Sequence, residues 1–412
     1  MDFTLSHLPR GVRSRLVERR QLLIDLLAHG GREGFLKHTR ALGIRGKLTG
    51  DVQDVDEGGA ELARALGEIW LGMKGRQSAV PSAYLPAECW ASTLDAEWAA
   101  PRRWLEADDW QSFEKFLRNF FRSGGISGLW GNRDMFHNFL NASIWSDVER
   151  LAVFVRQYKA WRREVASGNL DDLNESGVGN PWGYDIDGRL VIEPAFEYHA
   201  LALRIRELVA GESNPVVLEI GGGFGGLARQ VLRLIPGVRY LGLDLPENVI
   251  IQSWYLTRSL PRLRIGTDCA EVLNRQDWGG LDAAILPNWA LTDLRPPRLD
   301  VVVNVHSFGE MNRSTLGVYF AEINRLRPLW VFHDNLGSPR RDNLYGIPAS
   351  EYPALCGYHL VASCESRWPR YDHRSSYPCR ENLFRLAESL SRADADDTRA
   401  KEEYATERDR VR

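Results

Sequence analysis

Apolar positions in roughly the first 165 residues recur at helical spacing. In RSRLVERRQLLIDLLAHG they fall three and four apart and stop at Gly30-Gly31, a helix terminator. GGAELARALGEIWLGM repeats the pattern. DDWQSFEKFLRNFFRSGG sets Trp110, Phe113, Leu117 and Phe120 on one face, with Asp108 or Asp109 as cap and Gly124-Gly125 as stop. SDVERLAVFVRQYKAWRREV carries a stripe of Leu151, Phe154, Val155, Tyr158 and Trp161, and Ser146 is its expected N-cap. These segments predict a helical N-terminal domain over residues 1–167.

The pattern then changes. SGNLDDLNESGVGNPWGYDIDGRL is rich in Gly, Asn and Asp and predicts a loop or linker over 168–192, with GNPWGY unusually specific for a mere connector. From residue 193 to 390 short apolar runs alternate with amphipathic segments. The strands are VVLEI, RYLGLD, AAILP, LDVVVNV, LWVFHD, YHLVASC and ENLFRLA. The helices are EYHALALRIRELV, LARQVLRLI, ENVIIQSWYLTRSL and STLGVYFAEINRL. This alternation predicts an α/β, doubly wound, mostly parallel seven-stranded sheet with helices on both faces, ending in a hairpin-like pair. Residues 391–412 are charged and nearly free of large apolar groups, as in a solvated helix or an unstructured tail.

Composition narrows the class. Hydrophobic residues are 44% and charged residues 26% of the 412, with a net charge of -3. That is an ordinary globular profile without the basic surplus of a nucleic-acid binder. No stretch is long and apolar enough to cross a membrane. MDFTLSHLPRGVRSRL lacks the apolar run of a secretion signal, so a cytoplasmic location is expected. The five cysteines are widely spaced with no C-x-x-C, which predicts reduced thiols rather than a zinc or disulfide frame. Tryptophan is abundant in the helical half. Its helical spacing predicts packing before sugar stacking.

The chemistry starts at LEIGGGFGG, Leu218 to Gly226. It reads as G-x-G-x-x-G (Gly221, Gly223, Gly226), a dinucleotide signature, and as E-x-G-x-G-x-G (Glu219, Gly221, Gly223, Gly225), an S-adenosylmethionine signature. Asp244, at the end of the next strand, suits the ribose diol of either ligand. Glu219 discriminates. A carboxylate at the loop repels a pyrophosphate and suits an ammonium and a sulfonium. The reading favours S-adenosylmethionine over NAD.

EIGGGFGGLA, LGLDLPENVIIQSWYL and VVVNVHSFGEM together resemble the sugar O-methyltransferases, within the class I methyltransferase superfamily. GNPWGY also looks like that family's segment before the catalytic sheet. The resemblance covers about Gly179 to Asp334. It implies a class I fold and S-adenosylmethionine as cofactor. Glu219, Gly221, Gly222, Gly223 and Gly225 would then form the donor loop, and Asp244 with Leu245 would hold the ribose. Asn288 or Trp289 would meet the adenine, and Asn304 would complete the donor set.

A hydroxyl acceptor needs a base. In NVHSFGEM, at the end of the fourth strand, His306 is the first choice. Glu310 is the second, as base, orienting group or sugar ligand. FHDN ends the fifth strand and adds His333 as a further catalytic candidate and Asp334 as a substrate contact. Tyr184 in GNPWGY and Arg370 in SRWPRYDHRSSYPCR are further substrate candidates, the arginines of that segment suiting an acidic sugar. A divalent metal held by Glu310, His333 and Asp334 is conceivable but not expected. The predicted partner is a small acceptor, a sugar, glycoside or hydroxylated metabolite, with a homodimer possible. Three alternatives stay open: a carboxylate-methylating enzyme, an NAD-dependent oxidoreductase, and a non-catalytic binding module.

Overall fold

The computed structural model describes residues 20–51, 54, 57–124, 133–165, 168–270, 278–337, 346–366, 368 and 379–387. Arg370, with Arg367 and Arg374 of the same segment, and the 391–412 tail lie outside these residues.

The main sheet is built from β4 (Val216–Ile220), β5 (Arg239–Asp244), β6 (Ile265–Thr267), β7 (Ala283–Pro287), β8 (Val301–Val305), β9 (Trp330–Leu336), β10 (Tyr358–Glu365) and β11 (Cys379–Leu386). Their order is β10-β11-β9-β8-β4-β5-β7-β6. All neighbours are parallel except β11 with β9 and β10 with β11. The chain winds outward from β4 in one direction, returns, and winds outward from β8 in the other. The switch point between β4 and β8 is where such a sheet opens a crevice at its carboxyl edge. This is the doubly wound, mostly parallel α/β sheet expected, with eight strands in place of seven. The added strand, β6, spans three half-buried residues at the sheet edge, too short for a run of apolar residues to mark it.

Strand pleating sorts the side chains. Val217 on β4 joins one hydrophobic core, while Val216, Leu218 and Ile220 join the other. Helices Ala195–Leu208, Gly226–Leu234 and Pro246–Ser259 bury apolar residues in the first core; helix Arg313–Leu326 buries Leu316, Phe320 and Ile323 in the second.

The N-terminal half is mainly helical but not wholly so. β1 (Ile44–Thr49) pairs antiparallel with β2 (Trp182–Ile186), which pairs in turn with β3 (Arg189–Val191). GNPWGY is therefore half strand rather than loop. Trp182 and Tyr184 are buried against Phe139, and a Cβ on Gly183 would fall 2.3 Å from the Val191 carbonyl oxygen. Gly46 and Gly183, both poor strand formers, hide this pairing from a propensity reading. Asp109 caps helix Trp110–Arg118, accepting from Ser112 N–H at 3.0 Å. The later helix Ile144–Glu164 is capped by Ser143, not Ser146; Ser143 Oγ accepts from the Ser146 N–H at 3.2 Å. The tryptophans Trp70, Trp98 and Trp161 are fully buried, so packing is their role. No helix among the described residues is long and apolar enough to cross a membrane.

Candidate functional site

A cavity opens at the carboxyl ends of the parallel strands, and the glycine loop forms part of its wall. Gly221, Gly223 and Gly225 take φ of 76°, 60° and 94°, left-handed values that side chains resist. A Cβ on Gly221 would meet Ser307 Oγ at 2.2 Å. One on Gly222 would meet Gln252 Nε2 at 2.7 Å and Glu219 Oε2 at 2.8 Å. Side chains thus support the loop on one side, and Gly221 to Gly223 present bare backbone to the cavity.

Asp244 holds the loop from β5. Its Oδ2 accepts from Gly223 N–H at 2.8 Å, and its Oδ1 from Leu245 N–H at 2.7 Å and Asn248 Nδ2 at 2.9 Å. Burial pushes its carboxyl up to about 6, against the pull of those hydrogen bonds. Glu219 is not at the mouth of the loop. It stands beneath it, 3% exposed, and accepts a hydrogen bond from the Tyr240 hydroxyl. Burial pushes its carboxyl up to about 7; the Tyr240 bond opposes this and the charge of Asp244 adds to it. Both carboxyls still reach the cavity wall, as do Leu245 and Asn288. Asn288 Nδ2 donates to the Tyr84 carbonyl at 3.0 Å.

Past β8 the wall changes character. His306 takes φ 61°, rare for a residue with a Cβ, and its N–H donates to the Asp334 carbonyl at 2.7 Å. Its ring is buried. Nε2 lies 2.9 Å from Glu197 Oε1 and Nδ1 lies 3.6 Å from Cys379 Sγ. With Glu197 as a carboxylate, Nε2 carries the proton and donates. Glu310, in the 3-10 turn Phe308–Glu310, accepts from Trp90 Nε1 at 3.1 Å and also lines the cavity. The N-terminal half supplies Leu85, Pro86, Trp90, Met135 and Gln157 to the same wall. Five carboxylate side chains line the cavity, Glu193, Glu197, Glu219, Asp244 and Glu310, and no Lys or Arg among the described residues does.

Other candidates stand elsewhere. His333 and Asp334 are consecutive on β9, so the pleat sends them to opposite faces. His333 sits among Phe308, Tyr352 and Phe384, off the cavity, and burial pushes its ring down to about 4. Glu310, His333 and Asp334 therefore do not meet around one point. Asp334 lies behind the wall and accepts from Ser366 Oγ at 2.6 Å. Asn304 is scaffold: it donates to the Ile220 carbonyl at 2.8 Å and accepts from Phe308 N–H at 3.2 Å and Asn335 Nδ2 at 2.8 Å. Trp289 packs against both cores, and Tyr184 packs against Phe139 and Phe154. None of these lines the cavity. Glu193, Glu197 and Trp90 do line it, and no local motif announces them; Glu197 is one more acid in the first turn of a helix.

Known proteins supply limited likeness. The chain matches no family model. A tRNA (guanine-N(7)-)-methyltransferase of Streptomyces coelicolor is 30% identical over 124 residues, which is 30% of this chain and 41% of that protein. The match thus spans about two fifths of the relative. Among solved structures, magnesium protoporphyrin IX methyltransferase from Synechocystis PCC 6803, with S-adenosylhomocysteine bound, is 11% identical. The likeness covers 61% of this chain and 98% of that one at a TM-score of 0.33. A SAM dependent methyltransferase from Aquifex aeolicus is 13% identical, over 45% of this chain and 89% of that one, at a TM-score of 0.29.

Proposed function

We propose that the chain is an S-adenosylmethionine-dependent O-methyltransferase acting on a hydroxyl of a sugar, glycoside or other hydroxylated small metabolite. One observation carries the reading: a glycine loop and five carboxylates share a cavity that no described Lys or Arg lines. Such a wall repels a pyrophosphate, which speaks against NAD, and attracts a ligand bearing an ammonium and a sulfonium. It equally disfavours a carboxylate acceptor and the phosphates of RNA, despite the activity named for the Streptomyces relative.

In this reading Asp244, Leu245 and Asn288 hold the adenosine end. Gly221 to Gly223 and Glu219 hold the amino-acid end. The bound donor supplies an activated methyl group on a good leaving group, so the protein's tasks are alignment and proton removal. Glu310 is the better-placed base, because both ring nitrogens of His306 already face Glu197 and Cys379. Trp90 fixes the Glu310 carboxylate and, with Gln157 and Met135, shapes the acceptor end. The resemblance to the sugar O-methyltransferases supports the hydroxyl acceptor, while the partial match to a tRNA methyltransferase supports methyl transfer alone.

Calorimetric titration with S-adenosylmethionine and with NAD tests the donor. Incubation with S-adenosylmethionine and a panel of glycosides, nucleotide sugars and hydroxylated metabolites, read by added methyl mass, tests the acceptor. Binding of NAD in place of S-adenosylmethionine overturns the first assignment; no methylated product overturns the second.

A further inference from the structure

We propose that His306, Asp334 and Cys379 form a binding site for one divalent ion of the zinc class. The three residues come from neighbouring strands. His306 directly follows β8, Asp334 lies on β9 beside Val305, and Cys379 opens β11 opposite Leu336 of β9. One ligand atom from each lies within 4.8 Å of the others. His306 Nδ1 and Cys379 Sγ are 3.6 Å apart. A tetrahedral zinc with Zn–N of about 2.0–2.1 Å and Zn–S of about 2.3 Å sets these two atoms about 3.6 Å apart.

The surroundings match those of ligands rather than of bystanders. A metal-bound histidine almost always donates its other ring N–H to a carboxylate or carbonyl, and ligating carboxylates are themselves hydrogen-bonded. Glu197 meets His306 Nε2 at 2.9 Å, and Ser366 Oγ donates to Asp334 Oδ2 at 2.6 Å. The left-handed backbone of His306 is a strained conformation of the kind kept at functional sites. The bond from its N–H to the Asp334 carbonyl ties two of the three ligand residues together.

The donor set chooses the ion. One imidazole, one thiolate and one carboxylate suit zinc, or cobalt in its place, and not magnesium or calcium, which prefer oxygen alone. Three protein ligands leave a fourth position for water or another small ligand. With Nδ1 on the ion and Nε2 on Glu197, His306 has no nitrogen left for an acceptor proton. That leaves proton removal to Glu310.

The test uses the full chain and reads the metal, not methyl transfer, so it stands apart from the donor and acceptor assignments. Purified protein is supplied with zinc, dialysed and analysed for metal, and a parallel sample is loaded with cobalt(II). Wild type is expected to retain one zinc per chain and to show a thiolate-to-cobalt charge-transfer band. Cys379→Ser loses that band, while Cys364→Ser keeps it. Glu197→Gln weakens zinc affinity by about 10–100-fold, as loss of an outer-shell partner does. If Cys379→Ser fails to fold, the wild-type cobalt spectrum still decides. Absence of both zinc and the band in wild type leaves a thiol–imidazole hydrogen bond only and overturns the proposal. Undiminished zinc in folded Cys379→Ser also overturns it.

Discussion

His306 Nε2 lies 2.9 Å from Glu197 Oε1, with both side chains buried. The bond joins the end of β8 to the first turn of helix Ala195–Leu208. A histidine so held contributes to the wall of the cavity more than to its chemistry. His306→Ala is expected to lower stability by about 1.5–3 kcal/mol, the scale of a hydrogen bond to a charged group. Thermal melting measures this. An unchanged melting temperature would show that the pair carries no such energy.

Glu310 carries the chemistry in the proposed function. Glu310→Gln keeps the shape and the Trp90 contact but cannot take a proton. It should lower kcat by about 10²–10⁴-fold, the range of general-base catalysis, and leave donor affinity nearly intact. Steady-state kinetics beside calorimetry separates the two quantities. Retention of wild-type kcat would remove Glu310 from the mechanism.

Glu219 makes donor binding depend on pH. Its carboxyl is pushed up to about 7 by burial, and that of Asp244 to about 6. A cationic ligand favours the ionised forms, so binding releases protons, and affinity falls as pH drops through 7. Folding shows the opposite sense. Because both folded-state values lie above the unfolded ones, these groups add stability at low pH that is lost as pH rises through 4–7. For Glu219, raised from 4.5 to about 7, the loss is on the order of 3 kcal/mol. Glu219→Gln should therefore melt higher than wild type at neutral pH while binding the donor more weakly. Calorimetry in buffers of different ionisation enthalpy reads the proton release; none at pH 7 would contradict this coupling.

The sequence reveals the parallel strands because they are buried on both faces, so their apolar runs are long and give way to polar residues only toward the carboxyl ends, as at Glu219 and Asn304. VVLEI and RYLGLD match β4 and β5 to the residue. The loop and Asp244 are equally legible, since glycine spacing and an acid at a strand end are local signals. Assembly across distance is not. Trp90 and Glu310 are 220 residues apart in the chain, and Glu197 and His306 are 109 apart. The separation of His333 from Asp334, by contrast, is implicit in the two-residue period of any strand.

His333 should be silent in catalysis. Burial holds it down to about 4 among aromatic rings, so it is neutral in any ordinary assay. Its depressed value makes it a source of stability above its unfolded pKa of 6.5 that is lost as pH falls toward 4. His333→Phe is expected to leave kcat and KM unchanged and to flatten the acid side of the melting profile. A large loss of kcat in a folded variant would return His333 to the site.

Gly221 and Gly357 separate strain from crowding. Both have positive φ, 76° and 80°, but a Cβ on Gly357 meets nothing within 4 Å, whereas one on Gly221 meets Ser307 Oγ at 2.2 Å. Gly357→Ala should cost about 1 kcal/mol, from backbone strain alone. Gly221→Ala adds overpacking of about 1–3 kcal/mol and pushes the loop off its support. The first variant should bind donor like wild type and the second should not. Equal affinities would mean that the loop yields without cost to the site.

Trp90 links the N-terminal half to the proposed base. Its Nε1 donates to Glu310 at 3.1 Å, and its ring lines the cavity. Trp90→Phe keeps most of the apolar surface and removes the donor. Hydrogen bonds to charged groups contribute about 1.5–3 kcal/mol when buried, and this half-buried one should contribute toward the lower end. Acceptor kcat/KM is then expected to fall about tenfold, since about 1.4 kcal/mol is a factor of ten. Donor affinity should hold, because Glu219 and Asp244 are untouched. A drop in donor affinity equal to the drop in acceptor kcat/KM would mean that Trp90 shapes the whole cavity rather than the acceptor end, and would break the proposed division between the two ends.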